Sequence, residues 1–88
     1  MVFPNPFIPD EYDLVIGDLS VSSSVKIFSS SGRLIKTLTE ENGELFGAKA
    51  FWNGKNADGV PVPSGIYILI AYTEDGNIKK GKVALIRK

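Results

Sequence analysis

Seven consecutive residues, Ile66-Tyr67-Ile68-Leu69-Ile70-Ala71-Tyr72, form the most hydrophobic run of the chain. The run is far too short to cross a bilayer as a helix. It places β-branched or aromatic side chains at Ile66, Ile68, Ile70 and Tyr72, which predicts a buried central strand. The stretch that launches it, Trp52 to Tyr67, combines a large aromatic, an Asp58-Gly59 turn, a Pro61-x-Pro63 step and Gly65. The rest of the chain reads as strands and turns arranged around this strand.

Eighty-eight residues make one domain, 1–88, and a chain of this size buries only roughly 60 to 65 per cent of its unfolded surface. With no cysteine to staple the small core, stability rests on packing. The absence of both cysteine and histidine excludes zinc fingers, thiol nucleophiles, Ser-His-Asp triads and histidine proton shuttles, so the expectation is a protein that is not an enzyme. Net charge is zero but unevenly spread: Asp10, Glu11, Asp13 and Asp18 lie in an opening segment without a basic residue, and Lys79, Lys80, Lys82, Arg87 and Lys88 in a closing one without an acid. Two readings stand. The ends lie near each other and attract weakly through solvent, or the closing segment presents a basic face to an acidic partner. No stretch has the form of a cleavable signal peptide, so the chain is expected to be a piece of a longer protein.

Along the chain, Val2 to Pro9 alternates apolar residues with prolines, predicting an edge strand or extended lead-in with Phe3 and Phe7 turned inward. Leu14–Ile16 is a second strand, Gly17 to Ser24 a polar loop, and Val25–Phe28 a third strand. Ser29 to Gly32 turns the chain back into Leu34–Leu38 as an antiparallel hairpin. Thr39 to Gly47 is a polar connection of the kind that crosses between sheets, and Ala48 to Trp52 is the next strand. Gly65 to Thr73, an Asp75-Gly76 turn and a last strand from Ile78 to Arg87 complete the chain. Seven short strands with regular turns predict an all-β, immunoglobulin-like Greek-key sandwich without the disulfide. Trp52 is expected in its core, with Gly59, Gly65 and Tyr67 as further structural positions.

Constellations that carry chemistry are scarce. The segment 53–59 suggests a calcium loop, but the first carboxylate of the pattern is missing and Gly65 stands where the closing glutamate belongs, so no metal is expected. Paired carboxylates such as Asp10 with Asp13, or Glu41 with Glu44, fall in turns, whereas a general acid needs burial. Phosphate-binding glycine loops are absent, and basic residues are not interleaved with exposed aromatics, which argues against nucleic acid. No cofactor is implied.

Five blocks carry a resemblance: Val2-Phe3-Pro4-Asn5-Pro6-Phe7; Val25-Lys26-Ile27-Phe28 with Gly32-Arg33-Leu34-Ile35-Lys36-Thr37-Leu38; Trp52-Asn53-Gly54 with Asp58-Gly59; Pro63-Ser64-Gly65-Ile66-Tyr67; and the closing Lys80 to Lys88. In this order and spacing the chain resembles, over essentially its whole length, the type A C-terminal sorting domain of proteins exported by the type IX secretion system of Bacteroidetes-type bacteria. That version is itself similar to the immunoglobulin-like domain of the flagellar hook-capping protein. Asn53 departs from the family's usual Asp after the Trp. The resemblance implies a non-catalytic secretion signal, reaching the cell surface or exterior by way of the periplasm and outer membrane. Its partners would be the outer-membrane translocon, a sorting peptidase, the parent cargo domains and anionic lipopolysaccharide. Lys79, Lys80, Lys82, Arg87 and Lys88 are the candidate recognition residues.

Two other functions compete. A structural or adhesive module holding neighbouring domains would use the same sandwich. A carbohydrate-binding module would need Trp52, Tyr67 or Tyr72 exposed for stacking on a sugar.

Overall fold

The computed structural model describes residues 4–17, 22–46, 48–73 and 76–87, with no account of the side chains of Ser22 and Ser23. Seven strands form among these: β1 (Leu14–Ile16), β2 (Ser22–Ser29), β3 (Leu34–Leu38), β4 (Leu45–Phe46), β5 (Lys49–Trp52), β6 (Gly65–Thr73) and β7 (Ile78–Leu85). They build two antiparallel sheets, one of order β1-β5-β4 and one of order β3-β2-β6-β7. Relative to an immunoglobulin domain, β1, β5 and β4 take the positions of strands B, E and D. Strands β2, β6 and β7 take those of C, F and G, and β3 extends the second sheet beside C.

The apolar run is the middle of this arrangement, with β6 pairing along its length with β2 on one side and β7 on the other. Alternation sends Tyr67, Leu69, Ala71 and Thr73 inward. Their cross-strand partners follow: Val25 opposite Ala71, Ile27 opposite Leu69 and Val83 opposite Tyr67, all buried. The smaller sheet contributes Leu14 opposite Trp52 and Ile16 opposite Ala50. Because side chains alternate with period two, these registers commit one face of each sheet to a shared core. A row of aromatic rings runs through it, Phe7 to Trp52 and Trp52 to Tyr67 each at 5.7 Å between centroids, with Tyr12 at 6.0 Å from Phe7. Such tilted contacts favour ring edges over ring faces. At the sandwich rim Lys36 Nζ lies 3.0 Å from Glu44 Oε2, tying β3 to the residue before β4.

The architecture agrees with expectation while several strands do not. Of the two readings open for the proline-rich lead-in, the extended one holds: Phe7 is buried and bridges Leu85 in parallel, no strand forms among the described residues of the segment, and Phe3 lies outside them. Prolines at 4, 6 and 9 leave too few backbone donors for a ladder. The expected loop 17–24 gives up its end to β2: Ser22 pairs with Thr73 and Ser24 with Tyr72 across a bulge, because the long β6 offers a backbone edge that serines can occupy. The polar connection 39–47 contains the two-residue β4, whose Leu45 is buried opposite Ala50. The last strand ends at Leu85, short of Arg87.

Candidate functional site

Strand β7 carries most of the basic residues singled out above, and its position decides what each can do. Among the described residues it is the edge of the larger sheet, with β6 as its ladder partner. Beyond that ladder, Phe7 covers its C-terminal end: Phe7 N donates to Ala84 O at 2.8 Å, Ile86 N donates to Phe7 O at 2.9 Å, and Ala84 N donates to Asn5 Oδ1 at 3.1 Å.

Register separates the lysines. Lys79 is opposite Ala71 and so stands on the inward-facing side at the end of the sandwich, half-buried. Lys80 is opposite Ile70 and Lys82 opposite Ile68, both exposed on the outer face. Lys88 lies outside the described residues. The basic segment is therefore split, with two of its members on one open surface.

Arg87 turns inward instead. Its Nε donates to Val62 O, its Nη2 donates to Gly54 O at 2.6 Å, and its Nη1 lies 3.9 Å from Asp10 Oδ1. Its backbone N–H donates to Ser64 Oγ at 2.8 Å. One guanidinium so joins the lead-in, the loop 53–64 and the end of β7, using the planar fork that lysine lacks. A run of basic residues in sequence gave no sign of this, since the partners are backbone carbonyls far along the chain.

The loop 53–64 that Arg87 holds is set by short-range bonds. Asn56 Oδ1 accepts from Asp58 N at 2.9 Å and from Val60 N at 3.0 Å, and Asn53 Oδ1 accepts from Lys55 N at 3.2 Å. Gly54 and Gly59 take φ of 79° and 78°, which suits glycine. Trp52, 1% exposed, donates through Nε1 to Lys55 O at 2.9 Å. Tyr67 donates to Pro63 O at 2.7 Å, the hydrogen bond of a tyrosine corner at the start of the F-position strand. Burial pushes the Tyr67 hydroxyl above its ordinary pKa of 10, and the positive Arg87 pulls partly the other way. Among the described residues no group of three or more metal-ligating side chains gathers. An open groove of about 590 Å³ runs between the β2–β3 turn and this loop, past Arg33, Asn56 and Pro61.

The outer face of the larger sheet is the other notable surface. Rows read across it as Leu34, Phe28, Ile68, Lys82, then Thr37, Lys26, Ile70, Lys80, then Ser24, Tyr72, Ile78. Ile66, opposite Ala84, and Ile78 are about half exposed, and Lys26 Nζ lies 5.4 Å from the centre of the Tyr72 ring.

No protein-family model and no curated protein matches the chain. Among solved structures it is similar to PorZ of Porphyromonas gingivalis, described as an essential bacterial surface component of the type IX secretion system. Identity is 32%, the TM-score is 0.74, and the match covers 96% of this chain but 11% of the PorZ chain. The chain thus spans about a tenth of the protein it resembles.

Proposed function

We propose that this chain is a non-catalytic sorting domain of a larger exported protein, recognised by the type IX outer-membrane translocon and delivered with its cargo to the cell surface. The observation that carries this is the match along 96% of the chain, at 32% identity, to a segment of a type IX surface component. Lys80 and Lys82 on an edge strand add a chemical reason for recognition, since exposed charges at a strand edge steer a partner of opposite sign. In this reading the sorting peptidase and anionic lipopolysaccharide belong to later steps of surface attachment, and the domain supplies only the address.

Fusing residues 1–88 to the C-terminal end of a periplasmic reporter in a type IX-competent bacterium tests the reading. Reporter on the cell surface is the expected result. Reporter retained in the periplasm, with the domain folded, would overturn it in favour of a structural module. Deleting residues 79–88 is the wrong control, because Val83 and Leu85 are buried in the core.

A further inference from the structure

We infer that the outer face of the sheet β3-β2-β6-β7 is a docking surface for a protein partner whose own surface sets carboxylates around aliphatic side chains. The inference rests on the sorting reading, and names the part of the domain that the export machinery grips.

Composition gives the first argument. The four strands of this sheet contain five lysines and no aspartate or glutamate. Seven of the ten carboxylates of the chain lie among the described residues, and all seven fall outside these strands. An ordinary solvated sheet face mixes both signs, since cross-strand pairs of opposite charge stabilise it. Here Lys26, Lys80 and Lys82 share one face with no described carboxylate among them.

The second argument is the ground between the lysines. Phe28, Ile66, Ile68 and Ile70 stand on the face that an antiparallel sheet with one side in water usually fills with polar residues. Four strands at about 4.8 Å spacing and eight residues at about 3.3 Å rise give a surface of roughly 20 by 26 Å. That face, lysines and apolar side chains together, is on the order of 500 Å², near the small end of what one partner contributes to a protein interface. Ile66 is exposed on it, and Phe28, Ile68 and Ile70 are half-buried between the lysines.

Charge then selects the occupant. A second copy docked through the same face would set lysines against lysines, a like-charge contact that disfavours pairing. Sugar-phosphate headgroups would satisfy the lysines and leave the isoleucines without apolar partners. A protein surface of aliphatic residues rimmed with Asp and Glu satisfies both.

The test uses the reporter fusion in type IX-competent cells, with Lys80→Glu/Lys82→Glu and Ile66→Glu on the face and Phe46→Glu, exposed on the other sheet, as control. Circular dichroism of each variant checks the fold. The expected result is a fall of about ten-fold or more in surface reporter for each face variant, with the control unchanged. A photocrosslinker replacing Ile66 should also give an adduct with a translocon protein that Lys80→Glu/Lys82→Glu abolishes, and the same group at Phe46 should not. Folded face variants exported like the unsubstituted domain would overturn the inference while leaving the sorting reading intact. Failure of the unsubstituted domain to export overturns the sorting reading, and with it this surface as the machinery's grip. Face-dependent dimerisation in sedimentation, or face-dependent binding to purified lipopolysaccharide vesicles without a protein adduct, would overturn the assignment to a protein partner.

Discussion

Arg87 Nη2 and the carbonyl oxygen of Gly54 are 2.6 Å apart across 33 positions of sequence. The same guanidinium reaches Val62 O and approaches Asp10, so three segments that share no strand ladder meet on one side chain. Arg87→Ala takes the guanidinium from Val62 O and leaves Gly54 O with only its bond from Val62 N at 3.0 Å, and should lower unfolding free energy by about 1–3 kcal/mol in urea titration. Arg87→Lys should restore only part of that, because a single ammonium does not span both acceptors as the fork does.

Gly54 and Gly59 separate backbone strain from close approach. Both have positive φ, but a Cβ at Gly54 would stand 2.8 Å from Pro9 Cβ and 3.2 Å from Arg87 Nη2, whereas one at Gly59 meets nothing within 4 Å. Gly59→Ala should cost about 1–2 kcal/mol, the left-handed penalty alone. Gly54→Ala should cost more by a further 1–3 kcal/mol or so, from overpacking against Pro9. Equal losses in paired urea titrations would show that Pro9 yields freely.

Trp52 is the one tryptophan and is 1% exposed, so its emission should be blue-shifted and poorly quenched by acrylamide until the chain unfolds. Trp52→Ala should cost about 3–5 kcal/mol, enough to unfold much of a domain this small at room temperature. Trp52→Phe keeps the ring contacts but orphans Lys55 O, and should cost less. Strong quenching in the folded state would contradict the burial, and would reopen the sugar-stacking role that a buried Trp52 and Tyr67 do not support.

Tyr67 makes stability depend on alkaline pH. Its folded pKa lies above the ordinary value of 10, so the folded state holds the proton where the unfolded chain has lost it. The contribution is complete below pH 10 and is lost as pH rises from there through the folded value. Tyr67→Phe should lower stability at neutral pH by about 0.5–1.5 kcal/mol through the lost bond to Pro63 O. It should also flatten the decline above pH 10 relative to the unsubstituted domain, read from melting temperatures across the alkaline range.

Much of this fold was legible from one apolar run and the turns around it. Val25, Ile27, Leu69, Val83 and Leu85 declare their face by alternation, and Trp52 and Tyr67 declare themselves by size in a small core. What stayed hidden depends on partners distant in sequence. Ser22 and Ser24 have no apolar signal and join β2 because β6 is long enough to receive them. Leu45–Phe46 is too short to show a period. Within the basic segment, local sequence does not distinguish Arg87, which binds carbonyls inside the domain, from Lys80 and Lys82, which face outward; register and the path of the loop 53–64 make that difference.

The bridge between Phe7 and Leu85 also orders events in time. A ribosome that has made the first eighty residues of the domain has not yet supplied Leu85 to the core or Arg87 to the loop, so the nascent chain lacks the pieces that close its sandwich. Completion of the sandwich has to wait until residues 85–87 clear the exit tunnel. The structure thereby builds a delay into its own completion.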